Sequence, residues 1–347
     1  MIKTKNLVIL GIVLVVLLGV NLAQRSGHRQ ETSRSSVVEL LPAGVTAEQL
    51  TRITLGQGDD DEAVVLEKDP EGWVVASAWG AAANPERVEG LVRNLQGLTG
   101  EFRSDSAAVL PDYLLDERAV RVRCLDAAGA TVLALDVGGK PERFPGNFVR
   151  RPGSDAVYVS QKNVLSQLGI YGEPEKPGNR YFLELQAVQL DRNDVDRLVV
   201  TGSDFAWDLS KEFAVVPPAA DAPDSVQAAP EVDRLTWEWR ATAGDGPALA
   251  KTKVDAVLNS LAVIRATDLV DPAADPATYG LDAPGRRAEL HLQDGTTVTL
   301  RFGADREAVE GAPAGTFMQR EGDPTVWVVT EYAMANIFKP LAELQAE

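Results

Sequence analysis

The sequence predicts an α+β fold: an N-terminal transmembrane helix followed by two tandem α+β repeats with antiparallel sheets and packed helices. Three observations predict it. An unbroken apolar run, LVILGIVLVVLLGVNLA, spans Leu7 to Ala23 behind a short basic tail. The rest of the chain is written twice, motif for motif. Within each copy, segments alternating with period two flank one amphipathic helical stripe, the pattern of one-sided sheets covered by helices.

As a helix the apolar run reaches about 26 Å, near the roughly 30 Å of a bilayer's hydrocarbon core. Residues 1–24 therefore read as a signal-anchor, and 25–34 as a polar stalk. Lys3 and Lys5 favour a cytoplasmic N-terminus, although Arg25, Arg29 and Arg34 pull the other way. The expected placement is a single pass through the inner (cytoplasmic) membrane, with the bulk of the chain periplasmic. The alternative is a cleaved signal peptide; cleavage after Ala23 would put Asn21 where a small residue is preferred. No cysteine follows the run, which excludes a lipoprotein anchor.

The first repeat is expected over 35–168 and the second over 180–344, joined by a linker at 169–179 that contains Gly-Glu-Pro-Glu-Lys-Pro-Gly. Val88-Glu-Gly-Leu-Val-Arg-Asn-Leu95 matches Val254-Asp-Ala-Val-Leu-Asn-Ser-Leu261. At the same offset Tyr113, Leu115 and Asp116 match Tyr279, Leu281 and Asp282. Farther on, Phe148 and Val157-Tyr158 match Phe317 and Val326-Trp327. The offset grows across the Pro/Ala-rich stretch 214–233, which is expected to be a loop inserted in the second copy.

Each copy opens with a short turn, capped by Thr46 with Gln49 in the first and by Asp191 in the second. Strands are expected at 50–55, 63–68 and 72–77, then at 195–200, 204–209 and 235–241. The helix in each copy buries one stripe: Val88, Leu91, Val92, Leu95 and Leu98, or Val254, Val257, Leu258, Leu261 and Ile264. A hairpin follows, with Asp294-Gly295 as its turn in the second copy. A second hairpin and a closing helix end each copy.

Composition excludes several function classes. With 34 Lys and Arg against 51 Asp and Glu, the net charge of −17 argues against nucleic-acid binding. One cysteine, Cys124, rules out an intrachain disulfide framework and a cysteine-rich zinc module. Two histidines, His28 and His291, leave little for histidine-based catalysis. No nucleophile elbow, phosphate loop, dinucleotide fingerprint or HExxH occurs. No catalytic, cofactor-binding or metal-ligating residue is assigned, no cofactor is expected, and the chain reads as non-enzymatic. Asp59-Asp60-Asp61-Glu62 reads as a solvated hairpin tip, and Asp191 to Asp196 as a helix cap rather than a calcium loop.

The one candidate interaction site is the repeated corner, Tyr113 with Asp116 and Tyr279 with Asp282. A recurring Tyr and Asp would suit a ligand. They would equally serve as a folding device, with Tyr on the helix, Leu in the core and Asp capping the turn. Duplicated folds repeat their folding devices, which favours the second reading.

Tyr279-Gly-Leu-Asp-Ala-Pro284, the hairpin at Asp294-Gly295, the Phe302-Gly303 exit and Val326-Trp-Val-Val329 together resemble a bacterial family. It is the family built on the domain of unknown function 4340. The resemblance covers most of 35–344 and is clearest over 279–340; in the first copy Leu114 replaces the glycine, and Glu117-Arg118 replace Ala-Pro. It implies a membrane-anchored, extracytoplasmic accessory or scaffold subunit of an ABC-type transport complex, with the transporter's membrane subunits as partners. The alternative expectation is an envelope glycan- or ligand-binding module, which a groove with two or more exposed aromatics would support.

Overall fold

The computed structural model describes residues 37–216, 231–242, 246–309 and 311–346. The apolar run 7–23 and the stalk lie outside the described residues. No helix among those described is long and apolar enough to cross a membrane. The described residues divide into two compact units, one within 37–65 and 87–178, the other within 66–86 and 179–346.

In chain order the first elements are β1 (Val37–Glu39), β2 (Leu50–Gln57), β3 (Asp60–Asp69), β4 (Gly72–Val75), β5 (Ala81–Ala82) and helix α1 (Pro85–Leu95). Then come β6 (Thr99–Ser104), β7 (Val120–Asp126), β8 (Thr131–Val137), β9 (Phe148–Arg150) and β10 (Val157–Ser160). In the first unit the strands lie in the order β1-β6-β10-β9-β8-β7-β2-β3. The end of β3 pairs with β4, and β4 with β5, inside the second unit.

The chain continues through β11 (Gln186–Gln189), β12 (Val195–Thr201), β13 (Ala206–Val216), β14 (Glu231–Ala241), α2 (Lys251–Ala262), β15 (Val263–Arg265) and β16 (Asp268–Val270). It ends with β17 (Arg286–Leu292), β18 (Thr297–Arg306), β19 (Gly315–Arg320), β20 (Val326–Val329) and α3 (Glu331–Ile337). The main sheet of the second unit runs β14-β13-β12-β17-β18-β19-β20-β16. Read from β16 to β13, this repeats the first unit's order from β6 to β3. Every strand pair with a defined register is antiparallel, as in β7 with β8 and β17 with β18.

The described residues thus form mostly antiparallel sheets with three α-helices of 11, 12 and 7 residues. This corrects the expected α+β class with packed helices, and no described helix supports its transmembrane part. The helical stripes stop sooner than their apolar spacing suggests. Leu98 lies beyond α1, and Ile264 belongs to β15. The expected closing helix of the first copy is a 3-10 turn, Leu165–Leu168, stopped by Gly169 in the left-handed region. Strands also claim both ends of the Pro/Ala-rich stretch, since β13 runs to Val216 and β14 starts at Glu231. Residues 217–230 lie outside the described residues.

Period-two alternation decides which side chains enter the core. Val120, Val122 and Cys124 of β7 are buried together with Leu133, Leu135 and Val137 of β8. Helix α1 buries Val88, Leu91, Val92 and Leu95, and α2 buries Val254, Val257, Leu258 and Leu261. Burial pushes the Cys124 thiol up to about 12, so it behaves as a small apolar side chain.

Candidate functional site

Both corners are built by the same local chemistry. A 3-10 turn, Ala107–Tyr113 or Pro276–Tyr279, ends at a residue in the left-handed region, Leu114 (φ 54°) or Gly280 (φ 64°). The next residue, Leu115 or Leu281, is buried. Its backbone N–H closes the turn onto Leu110 O or Pro276 O, at 2.9 Å in each case. The returning strand of each hairpin meets the corner at a glycine, Gly138 just past β8 or Gly303 within β18. A Cβ there would collide with the carbonyl oxygen of Tyr113 or Tyr279, so only glycine lets the strand pass beneath the corner.

The corners differ in what their tyrosines do. Tyr279 is 7% exposed, its hydroxyl donates to Asp271 O at 2.9 Å, and its ring lies 4.8 Å from that of Phe317. Leu281, Phe317, Val326 and Val328 complete this apolar cluster. Burial and the Asp271 carboxylate raise the Tyr279 phenol above its ordinary value. Tyr113 stacks on Phe148 at 4.4 Å beside Leu115 and Val157, but it is only half-buried. Its hydroxyl has no protein partner among the described residues.

The aspartates diverge as well. Asp116 accepts from Arg118 Nε at 2.9 Å, from Arg118 Nη2 at 2.7 Å and from the Arg118 backbone N–H at 3.2 Å. The Arg118 guanidinium holds its carboxyl below the usual range. Asp282 is exposed and makes no hydrogen bond or ion pair among the described residues. In the second corner Asp275 caps the turn instead, accepting from the Ala277 N–H at 3.0 Å.

The first corner opens onto a cavity lined by its tyrosine. The cavity measures about 520 Å³, and its walls include Tyr113, Leu114, Phe148, Tyr171, Lys140 and Glu173. Tyr171 is 71% exposed. Lys140 Nζ donates to Tyr171 O at 3.0 Å, which ties the Tyr171 backbone beside the opening. Asp112 and Glu173 also line the cavity, and neither carboxylate has a hydrogen bond or ion pair among the described residues. Leu114 stands where the second corner uses glycine, and a left-handed leucine costs about 1–2 kcal/mol. Its strained backbone puts a side chain, absent from Gly280, into the cavity wall.

Several of the other sequence candidates are held by neighbours, and His28 lies outside the described residues. Asp60 pairs with Lys176 at 2.7 Å, Asp61 with Arg121 at 2.6 Å and Glu62 with Arg52 at 2.9 Å. Asp191 accepts from the Asn193 N–H at 2.8 Å. His291 Nδ1 lies 3.0 Å from Thr297 Oγ1 on a sheet face. Among the described residues no group of three or more His, Cys, Asp or Glu side chains converges as metal ligands would.

Sequence reasoning missed Tyr171, Lys140 and Glu173, which fall at the hairpin exit or in the expected linker. It also missed Lys211, buried beside Trp237 and Trp239, whose ammonium burial pushes down to about 8.

No curated protein and no solved structure matches the chain. One family matches it twice, over 73–284 and 239–346, and is described as a domain of unknown function. With most of its length covered, the chain belongs to that family, DUF4340.

Proposed function

We propose that the chain is a non-enzymatic binding protein whose first unit takes an envelope carbohydrate at the Tyr113 corner. The observation that carries this reading is the cavity shared by Tyr113, Phe148 and the exposed Tyr171 with the uncommitted carboxylates of Asp112 and Glu173. A sugar ring has apolar C–H faces and an edge of hydroxyls. Aromatic rings suit the faces, and carboxylates accept from the edge. The volume lies within the roughly 300–1,000 Å³ of ordinary small-molecule sites.

The test is an array of bacterial envelope oligosaccharides probed with the full-length chain, followed by titration of the best binder. Saturable binding that Tyr171→Ala abolishes without lowering the denaturation midpoint supports the reading. Absence of any saturable binder, or binding indifferent to Tyr171→Ala, defeats it.

A second reading draws on the family membership and the strongly acidic chain. In it the protein is an extracytoplasmic accessory or scaffold subunit of an ABC-type transport complex. Cross-linking in cells should then recover the transporter's membrane subunits. A reporter active only in the periplasm should work when fused after Glu347, and a silent reporter would place the chain elsewhere.

A further inference from the structure

The second unit carries a cavity of its own, about 510 Å³, between the ends of β18 and β19 and helix α3. Its described lining includes neither Tyr279 nor Asp282, so it is separate from both corners. One wall comes from the strands and holds Arg286, Asp305 and Arg306. The other comes from α3, where Glu331 and Met334 lie one turn apart on one face, and from Phe338, which caps the helix just beyond its last residue.

The charged groups on the strand wall are fixed before any ligand arrives. Arg286 Nη2 donates to Gly303 O at 2.9 Å and to Asp305 Oδ1 at 3.0 Å. Arg306 donates to Pro313 O through Nε at 2.9 Å and to Asp268 Oδ2 through Nη2 at 2.9 Å. Arg286 Nε and Nη1 and Arg306 Nη1 have no protein acceptor among the described residues. The Asp305 carboxylate is committed to Thr316 Oγ1 at 2.6 Å and to Arg286. Glu331, across the cavity, makes no hydrogen bond or ion pair among the described residues and is exposed.

One wall therefore offers guanidinium donors, the other offers an uncommitted carboxylate, and the buried Met334 with the half-buried Phe338 lies between them. A simple anion would gain the arginines but face Glu331 and the nearby Asp305. A simple cation would gain Glu331 but face two guanidiniums. Only a molecule carrying both charges satisfies both walls at once.

We infer that this cavity takes a small zwitterion with an apolar side chain, an α-amino acid of the leucine class. The carboxylate would meet Arg286 and Arg306, the ammonium would meet Glu331, and the side chain would cover Met334 and Phe338. This site does not depend on the carbohydrate reading.

The experiment is calorimetric titration of the full-length chain with L-leucine, 4-methylpentanoate and 3-methylbutylamine. The last two keep the side chain but carry one charge each. Leucine should bind saturably, and each single-charge analogue should bind about ten-fold more weakly or worse. Glu331→Gln should cost leucine a comparable factor, and Ala335→Trp, which fills the cavity from an exposed position of α3, should abolish binding. Circular dichroism and denaturation midpoints equal to those of the parent would show that both variants fold. Failure of leucine to saturate up to about 10 mM overturns the proposal. Equal binding by either single-charge analogue overturns it too, as does wild-type affinity in both variants.

Discussion

The two corners share a backbone and part in their side chains. Each has a 3-10 turn, a left-handed stop, a buried leucine and a glycine that lets a strand pass. At the second corner the tyrosine is sealed into a cluster and its hydroxyl is spent on Asp271 O. At the first corner the tyrosine faces a cavity, its hydroxyl is unspent, and a strained leucine replaces the relaxed glycine. Two copies of one folding device thus separate into a structural corner and an open one. The backbone plan tolerates both, because the buried leucine and the passing glycine carry the fold while the tyrosine is left to vary.

The largest effect should separate the two tyrosines. Tyr279→Ala removes a buried ring and a satisfied hydroxyl, and should cost about 3–5 kcal/mol in urea denaturation. Tyr113→Ala removes a half-exposed ring and should cost about 1–2 kcal/mol. Equal losses would erase the distinction. Next come the glycines common to both corners. Gly138→Ala and Gly303→Ala each drive a methyl group into a backbone carbonyl and should cost about 2–3 kcal/mol, with similar values in the two units.

The left-handed positions should respond in opposite directions. Leu114→Gly relieves backbone strain and should leave stability unchanged or raise it by about 1 kcal/mol. Gly280→Ala should lower it by about 1–2 kcal/mol, because the alanine inherits the strain and meets Ala304.

The smallest effect is electrostatic. The carboxyl of Asp116 is depressed in the folded state, so its contribution is present above the unfolded value, near 3.9, and fades as pH falls through the folded value. The pair is partly exposed, which limits the gain to below about 1 kcal/mol. Asp116→Asn should therefore be less stable than the parent at pH 7 and indistinguishable from it near pH 2. Asp282→Asn should match the parent within about 0.5 kcal/mol at pH 7.

Much of the strand pattern could be read from the chain, because alternating side chains report a half-buried strand directly. Val120, Val122 and Cys124 are an example. Helix extent was less legible. Apolar spacing continues through Leu98 and Ile264, yet the backbone leaves the helix before both. Composition misled at the edges of 214–233, where long-range pairing carries β13 and β14 into a Pro/Ala-rich stretch.

Leu114 was visible as a departure from its glycine counterpart, but its left-handed backbone was not. The cavity was invisible because Tyr171 and Glu173 sit in a segment that reads as a linker, and only the folded chain brings them to Tyr113.

The most direct measurement pairs two single-atom deletions, Tyr113→Phe and Tyr279→Phe, each scored for denaturation midpoint and for carbohydrate binding. Tyr113→Phe should keep stability within about 0.5 kcal/mol and weaken binding, because its hydroxyl serves only the ligand. Tyr279→Phe should lose about 1 kcal/mol with the Asp271 hydrogen bond and bind as the parent does. A destabilised Tyr113→Phe with undiminished binding, or a Tyr279→Phe that binds poorly while fully stable, would contradict the assignment of an open and a structural corner.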